Sequence, residues 1–349
     1  MADQRAVSDP FGHRATSPWS MPAAAWKDIA KRTYTRVWDD NVGLVAAGVA
    51  FYGFFALLSL LGLIVLVYGF VAEPMTVIEH MQALTAVLPT DVAFIIGDQL
   101  MNAVRASQKT KGLGILLAFL VATYGGTNGA TSVITALNIA YEEKEKRSLF
   151  SFYALAVFMT FCALLAALAA IAATAALAYL QHLLPSSAPP LVLAGKVAGY
   201  GLIILAAAGV ASTLYRFGPS REQAKWMWIT PGSLFVALSW LLLTWAFGIY
   251  VGHFTNYKAT YGSLGAVVAL LTWMYLSSYA FITGAELNSE IEHQTAKDST
   301  TGAPAPMGER GAWAADNVAT DDTVQDRPEE QREGERLTEA APKVAEERG

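Results

Sequence analysis

Along the chain, long uncharged runs alternate with short charged segments, and this alternation predicts a series of membrane-crossing helices. A helix needs about 20 apolar residues to cross the hydrocarbon core, and a charge at its centre is costly. Residues 41–72 carry no charge between Asp40 and Glu73, and residues 112–141 carry none between Lys111 and Glu142. The uncharged run 148–195 is too long for one crossing. It is broken at Pro185-Ser186-Ser187-Ala188-Pro189-Pro190, which ends one helix and opens another. The fourth span then covers roughly residues 191–215, with Lys196 near its outer end, free to snorkel to the interface. Residues 226–257 and 259–285 supply the fifth and sixth. The expected fold is all-α, an integral membrane bundle of six transmembrane helices.

Between the first two spans, residues 73–111 are charged but helically periodic. Met75, Ile78, Met81 and Leu84 recur at threes and Ile96, Leu100 and Val104 at fours, with Pro89-Thr90-Asp91 as break and N-cap. Two amphipathic helices in the outer interface are expected, or a re-entrant segment. Other boundaries have their own signals. Asp39, Asp40 and Asn41 stand where the first span begins and can cap it. Arg216-Phe217-Gly218-Pro219 stops the fourth helix, and Thr230-Pro231 reads as N-cap and first position of the fifth. Trp226, Trp228, Tyr257 and Tyr261 fall at span ends, where amphipathic rings suit the interface.

Composition agrees with the pattern: 54% of the 349 residues are apolar, 15% are charged, and the mean hydropathy is +0.36. The charge is unevenly placed. From Gln294 onward there are 7 Lys/Arg against 13 Asp/Glu, leaving 17 and 16 in the rest. That acidic, Ala/Thr/Gly/Pro-rich stretch, 294–349, is expected to be a disordered tail, as is the polar segment 1–25, leaving 26–293 as the membrane domain. No cleavable leader is visible in the first 25 residues, so the first span is expected to direct insertion. Lys27, Lys31, Arg32 and Arg36 precede span one. Lys144, Lys146 and Arg147 follow span two, and Arg216, Arg221 and Lys225 follow span four. The other side holds Lys258 in a short loop and Arg105, Lys109 and Lys111 in a long one, so both termini are expected in the cytoplasm of an inner-membrane protein.

Candidate chemistry lies on two helices. Tyr124, Asn128, Thr131, Thr135 and Asn138 are spaced 4, 3, 4 and 3, giving span two a polar stripe, and Gly125 and Gly129 form a Gly-xxx-Gly pair beside it. Such a stripe can line a solute path on a weakened helix, or it can be interhelical packing. Span six ends in Glu286, Asn288 and Glu290, with both carboxylates on one face. Counted from Gly262, Glu286 is about 36 Å along the helix, so it is either an ionisable relay or a helix emerging into water. Arg216 and Arg221 read first as positive-inside determinants and second as headgroup or partner contacts; Tyr257 and Tyr261 read as anchors around Lys258. The lone Cys162 excludes an intrachain disulfide and reads as a small buried hydrophobe. The five histidines are scattered, and neither a phosphate loop nor a nucleophile elbow is present, so no catalytic site, metal or cofactor is expected.

An ordered series of motifs resembles the YihY / virulence factor BrkB family. The series starts with Ala46-Ala47-Gly48-Val49-Ala50-Phe51-Tyr52 and Tyr215-Arg216-Phe217-Gly218-Pro219-Ser220-Arg221. It continues through Pro231-Gly232-Ser233, Tyr261-Gly262-Ser263-Leu264-Gly265, Trp273-Met274-Tyr275-Leu276 and Gly284-Ala285-Glu286-Leu287-Asn288. The resemblance spans roughly residues 25–293 and implies a six-helix bacterial inner-membrane protein. It also brings an old ribonuclease label, for which the residues offer neither acid/base or metal groups nor a basic RNA surface. The functional expectation is a permease-like protein for a small solute or lipid-like molecule, against a rival scaffold or envelope-integrity factor. The expected partner is the lipid bilayer, with no nucleic acid. The glycine pairs allow close contacts within one chain or in a homo-oligomer.

Overall fold

The computed structural model describes residues 11–71, 108–183, 189–253 and 258–319. These form helices α1 (Ala23–Asp39), α2 (Val42–Val71), α3 (Gln108–Ala140), α4 (Leu149–Leu183), α5 (Pro189–Phe217), α6 (Trp226–His253), α7 (Lys258–His293) and the short α8 (Trp313–Asp316), with a 3-10 turn at Pro18–Ser20. Among the described residues there is no strand, only an isolated bridge between Ala224 and Thr300. Val42–Leu63, Leu113–Ala140, Leu149–Ala166, Trp226–Tyr250 and Val267–His293 are long and apolar enough to cross a membrane, and α5 carries the shorter apolar stretch Gly201–Phe217. The protein is thus a helical membrane bundle. The break in the run 148–195 separates α4 from α5 where the prolines place it.

Helix α7 is the hub, packing on α1, α2, α3, α6 and α8, while α2 lies against α3 and α5 against α6. Close approach needs small residues where backbones meet. Gly232 of α6 and Gly284 of α7 face each other, and a methyl added at Gly232 would lie 2.6 Å from Asn288 Oδ1. On α3, Gly125 and Gly129 face Phe55, Ala56 and Gly53 of α2, so this Gly-xxx-Gly pair packs within the chain.

Among the described residues, the buried core gathers at one end of the bundle. There the start of α2 (Val42, Ala46), the end of α3 (Ala136, Leu137, Ala140, Tyr141), the end of α5 (Ala211, Tyr215), the start of α6 (Ile229, Val236) and the end of α7 (Phe281, Ile282, Ala285) form one cluster. A second cluster joins Ala15, Met21, Ala25, Ile29, Trp228 and Ile291. Helix α1 lies across this end, burying Ala25, Ile29, Thr33 and Val37 at a spacing of four. It meets α2 at Asn41, whose φ of 51° is the left-handed conformation that Asn tolerates; the Asn41 carbonyl accepts from the N–H groups of Leu44 and Val45.

Several expectations change. Residues 294–319 fold onto this end rather than forming a tail, and residues 11–25 join them. Gln294 Nε2 donates to Phe11 O (2.7 Å), Ala296 N to His13 O (2.8 Å), Thr295 Oγ1 to Ala15 O (2.7 Å), and Ala319 N to His293 O (2.8 Å). Buried Arg310 ties the loop to itself through the carbonyls of Ala296 and Ala315. Composition pointed to disorder because the stabilising contacts are polar and distant in sequence, and an apolar count does not register them. Helix α6 begins at Trp226, so Pro231 lies inside it and Thr230 bonds back to Trp226 O (2.8 Å) instead of capping. The earlier start is fixed by the 299–311 segment. Lys225 N donates to Ser299 O, and Glu222 N to Gly311 O. Trp228 is buried rather than interfacial, and Cys162 is exposed on α4, outside the compact core. The helices expected between spans one and two lie outside the described residues, apart from the start of α3.

Candidate functional site

The charged end is built from arginines and carboxylates that arrive from opposite ends of the sequence. Arg32 and Arg36 stand four apart on α1 and meet Glu290 of α7. Arg32 Nε donates to Glu290 Oε2 at 2.6 Å, and Arg36 Nε to Oε1 at 3.3 Å. Arg36 also pairs with Glu142, the residue after Tyr141 at the end of α3. Glu142 has φ 54°, and the N–H groups of Glu142 and Glu143 donate to Ile139 O and Asn138 O, a helix stop usually made by glycine. A left-handed non-glycine costs about 1 kcal/mol, and this conformation is the one in which Glu142 meets Arg36. Burial works against the Arg36 charge, but Glu142, Glu290, Asp40 and Glu286 together raise its pKa above the ordinary value.

A second pair is drier. Arg221 grips Glu292 with both terminal nitrogens, at 2.6 and 3.3 Å, and both side chains are buried. Ser299 Oγ adds a bond to the same carboxylate (2.7 Å), while Arg221 lies over the Tyr141 ring at 5.0 Å. Burial opposes the Arg221 charge, and Glu292 outweighs it, leaving the guanidinium pKa raised. Burial, reinforced by Glu292, also pushes the Tyr141 phenol up. Nearby, Trp313 N donates to Glu143 Oε1 (2.7 Å), and the Trp313 ring stands by His293 and Arg36.

The polar residues singled out in the sequence divide between this end and the membrane interior. Asn138 is a buried brace: its Oδ1 accepts from Ser220 N (2.7 Å) and its Nδ2 donates to Glu145 Oε2 (2.9 Å). Burial tends to raise Glu145, but the Arg147 N–H and the Asn138 amide outweigh it, holding the carboxyl below its usual range. Asn288 likewise accepts from Gly232 N (2.8 Å) and donates to Ile229 O (3.1 Å), locking α7 to α6. Glu286 is only 2% exposed rather than in water, and its Oε1 has no hydrogen-bond partner among the described residues. Further along α3, Asn128 and Thr131 are half-buried, whereas Thr135 and Tyr124 are exposed, Tyr124 at 72%. The hydroxyls of Thr131 and Thr135 donate to Asn128 O and Thr131 O of their own helix. The stripe is therefore not brought together with Glu286 and Asn288 as one continuous path. Tyr257 lies outside the described residues; Tyr261 is in the first turns of α7.

Arg221 is not a free interfacial charge; its partner is 71 residues away. In the sequence, Arg32 and Arg36 read only as orientation signals, and Glu142 is not singled out as a partner. The available signal was matched spacing, with Arg32/Arg36 on one helix and Glu286/Glu290 on another, each four apart. A separate cavity of about 410 Å³ opens at the α1–α2 elbow, lined by Val37, Trp38, Asn41, Leu44, Tyr275 and Tyr279 among others.

Fold and site together define a polytopic helical membrane protein whose 11–25 and 294–319 segments and loops are stitched over one end of the bundle by hydrogen bonds and buried ion pairs. The family profile described as virulence factor BrkB matches residues 33–308, so the chain belongs to that family. The match runs past His293 into the folded 294–308 segment, consistent with its place in the core. The chain is 28% identical over 239 residues to a protein of Bacillus subtilis named putative ribonuclease-like protein YfkH, covering 64% of this chain and 86% of that one. It is similar over shorter stretches to UPF0761 membrane proteins. One from Xanthomonas oryzae is 39% identical over 61 residues (18% of this chain, 14% of that one). Another, from Stenotrophomonas maltophilia, is 35% identical over 78 residues (22% and 18%). No solved structure matches.

Proposed function

We propose that the chain is a permease-like inner-membrane protein for a small solute or lipid-like molecule, captured with its charged face closed. The supporting observation is where the packing lies. The large fully buried side chains, such as Tyr141, Tyr215, Trp228, Leu137 and Ile282, belong to the charged end. Beyond them, among the described residues, α3 from Leu113 to Tyr124 and α4 from Leu149 to Ala166 carry many exposed side chains. A static bundle gains most by packing small residues along the whole helix length. A carrier needs one end sealed while the rest stays able to rearrange. Asn128 lies about 15 Å along α3 from the seal at Asn138, where a solute admitted from the opposite side would meet it. The ten Lys/Arg residues that flank spans one, two, four and five at the sealed end support a cytoplasmic orientation for that end and both termini. Glu142, Glu145, Glu290 and Glu292 there are held by arginines as structural partners, which supports a closure element over nucleolytic chemistry.

A scaffold is the rival reading, favoured by Gly125 and Gly129 packing on α2 and by hydroxyls already bonded to their own helix. Thiol labelling separates the two. In a Cys162→Ala background, Asn128→Cys should react with a membrane-impermeant maleimide added from the non-cytoplasmic side. It should gain reactivity from the cytoplasmic side when Arg36→Gln weakens the seal. Inertness from both sides in both backgrounds would mean a dry scaffold.

A further inference from the structure

Buried Arg310 is held by backbone carbonyls, and four arginines at the sealed end meet a carboxylate: Arg32 and Arg36 with Glu290, Arg147 with Glu145, and Arg221 with Glu292. Arg216 does not. Its Nη1 donates to Ala224 O, its Nε is enclosed without a partner, and among the described residues no acidic group pairs with it. The neighbouring Lys225 is engaged by the Asp298 carbonyl (2.8 Å), and Glu222, the acid of that loop, lies against Gly311.

The surroundings of Arg216 are those of a membrane interface. Its guanidinium carbon is 4.7 Å from the Trp226 ring centroid and 5.5 Å from that of Phe217. Both rings are about half exposed, and they stand edge to face at 6.3 Å. They mark the end of the apolar stretch of α5 and the start of the α6 span, the depth at which lipid phosphates lie. A half-buried cation with no counter-ion, framed by apolar rings at that depth, is completed by a phosphate whose acyl chains can lie along Phe217 and Trp226. Guanidinium suits phosphate because it offers parallel N–H donors and stacks on aromatic faces.

We propose that Arg216, with Phe217 and Trp226, is a binding site for the phosphate headgroup of an anionic phospholipid. The site requires only that the protein be in a membrane, and it stands whether or not the chain transports anything. Full-length protein in neutral detergent is titrated with phosphatidylglycerol, with phosphatidylcholine, and with inorganic phosphate, and bound lipid is counted by native mass spectrometry. The wild type should bind phosphatidylglycerol in preference to phosphatidylcholine, and inorganic phosphate should not compete at matched concentration. Arg216→Gln should weaken phosphatidylglycerol binding about tenfold, the loss of a charge-assisted bond, and Arg216→Lys should weaken it less. Equal phosphatidylglycerol affinity in wild type and Arg216→Gln overturns the site, and full competition by free phosphate overturns the lipid assignment. If Arg216→Gln does not fold, the lipid preference of the wild type and its loss in Trp226→Leu decide: no preference, or no loss, also overturns it.

Discussion

Arg221 and Glu292 are both buried, and a buried ion pair is expensive to make but more expensive to break. Removing one partner leaves an uncompensated charge, at about 3–5 kcal/mol, whereas replacing both by apolar groups is often neutral. Glu292→Gln should therefore lower the unfolding midpoint strongly, and the double variant Arg221→Met with Glu292→Leu should recover much of it. A double variant as unstable as the single one would mean that the pair contributes through something other than its charges. Asp298 makes a different, pH-dependent contribution. Burial acts to raise its carboxyl, but the Thr300 hydroxyl, the N–H groups of Thr300 and Ala305, and Lys225 outweigh that and lower it. A carboxylate with a depressed folded pKa stabilises fully above its unfolded value of about 3.9 and loses that contribution as pH falls through the folded value. Amide exchange at Thr300 and Ala305, corrected for intrinsic rate, should stay slow from neutral pH down to about 4 and accelerate below it. Asp298→Asn should flatten the acid-linked part of that profile; an unchanged profile would assign the acid sensitivity to another group.

At the level of elements, the α6–α7 contact is set by glycine. Gly232 leaves no space for a methyl beneath the Gly284 carbonyl and Asn288, while Gly248 on the same helix has nothing within 4 Å of the position a Cβ would take. Gly232→Ala should destabilise the bundle by about 1–3 kcal/mol through overpacking. Gly248→Ala should stabilise it slightly, by up to about 1 kcal/mol of helix propensity. Thermal unfolding of the two variants in one detergent checks the opposite signs, and equal effects would mean that α6 and α7 do not meet as closely as described. Elements were the scale most legible in the sequence. Uncharged runs and the Pro185–Pro190 break located the long helices because transfer to lipid is a local property of each segment. The uncharged run begins at Trp226 as α6 does, but the cap reading at Thr230-Pro231 put the first helical position five residues too late. The reason is that what holds the start is the Ser299 carbonyl accepting from Lys225 N, 74 residues away. No local signal carries that. The polar stripe of α3 was likewise visible as a pattern, but its division into braced Asn138, half-buried Asn128 and exposed Tyr124 depends on where α3 leaves its neighbours.

For the whole molecule, the 294–319 segment is the element that joins everything at the sealed end. It bonds residues 11–15 through Gln294, Thr295 and Ala296, the α3–α4 loop through Trp313 and Glu143, and the α5–α6 loop through Ser299, Thr301 and Gly311. Each contact is modest alone, but all are made by one short stretch, so its loss frees every loop together. It also uncovers the 2%-exposed Glu290 and the 0%-exposed Glu292, removing the Ser299 bond from Glu292 and the Gln294 bond from Arg32. Truncation after Ala319 leaves these contacts in place and should change neither the unfolding midpoint nor the labelling of Asn128→Cys. Truncation before Gln294 should lower the midpoint and, if the bundle is a carrier held shut by this cap, raise the cytoplasmic reactivity of Asn128→Cys as Arg36→Gln does. A scaffold responds differently: the shorter chain loses stability, yet Asn128→Cys stays unreactive, because no passage lies behind the seal. Measuring midpoint and labelling on the same preparations separates a cap that only stabilises from a cap that closes a path.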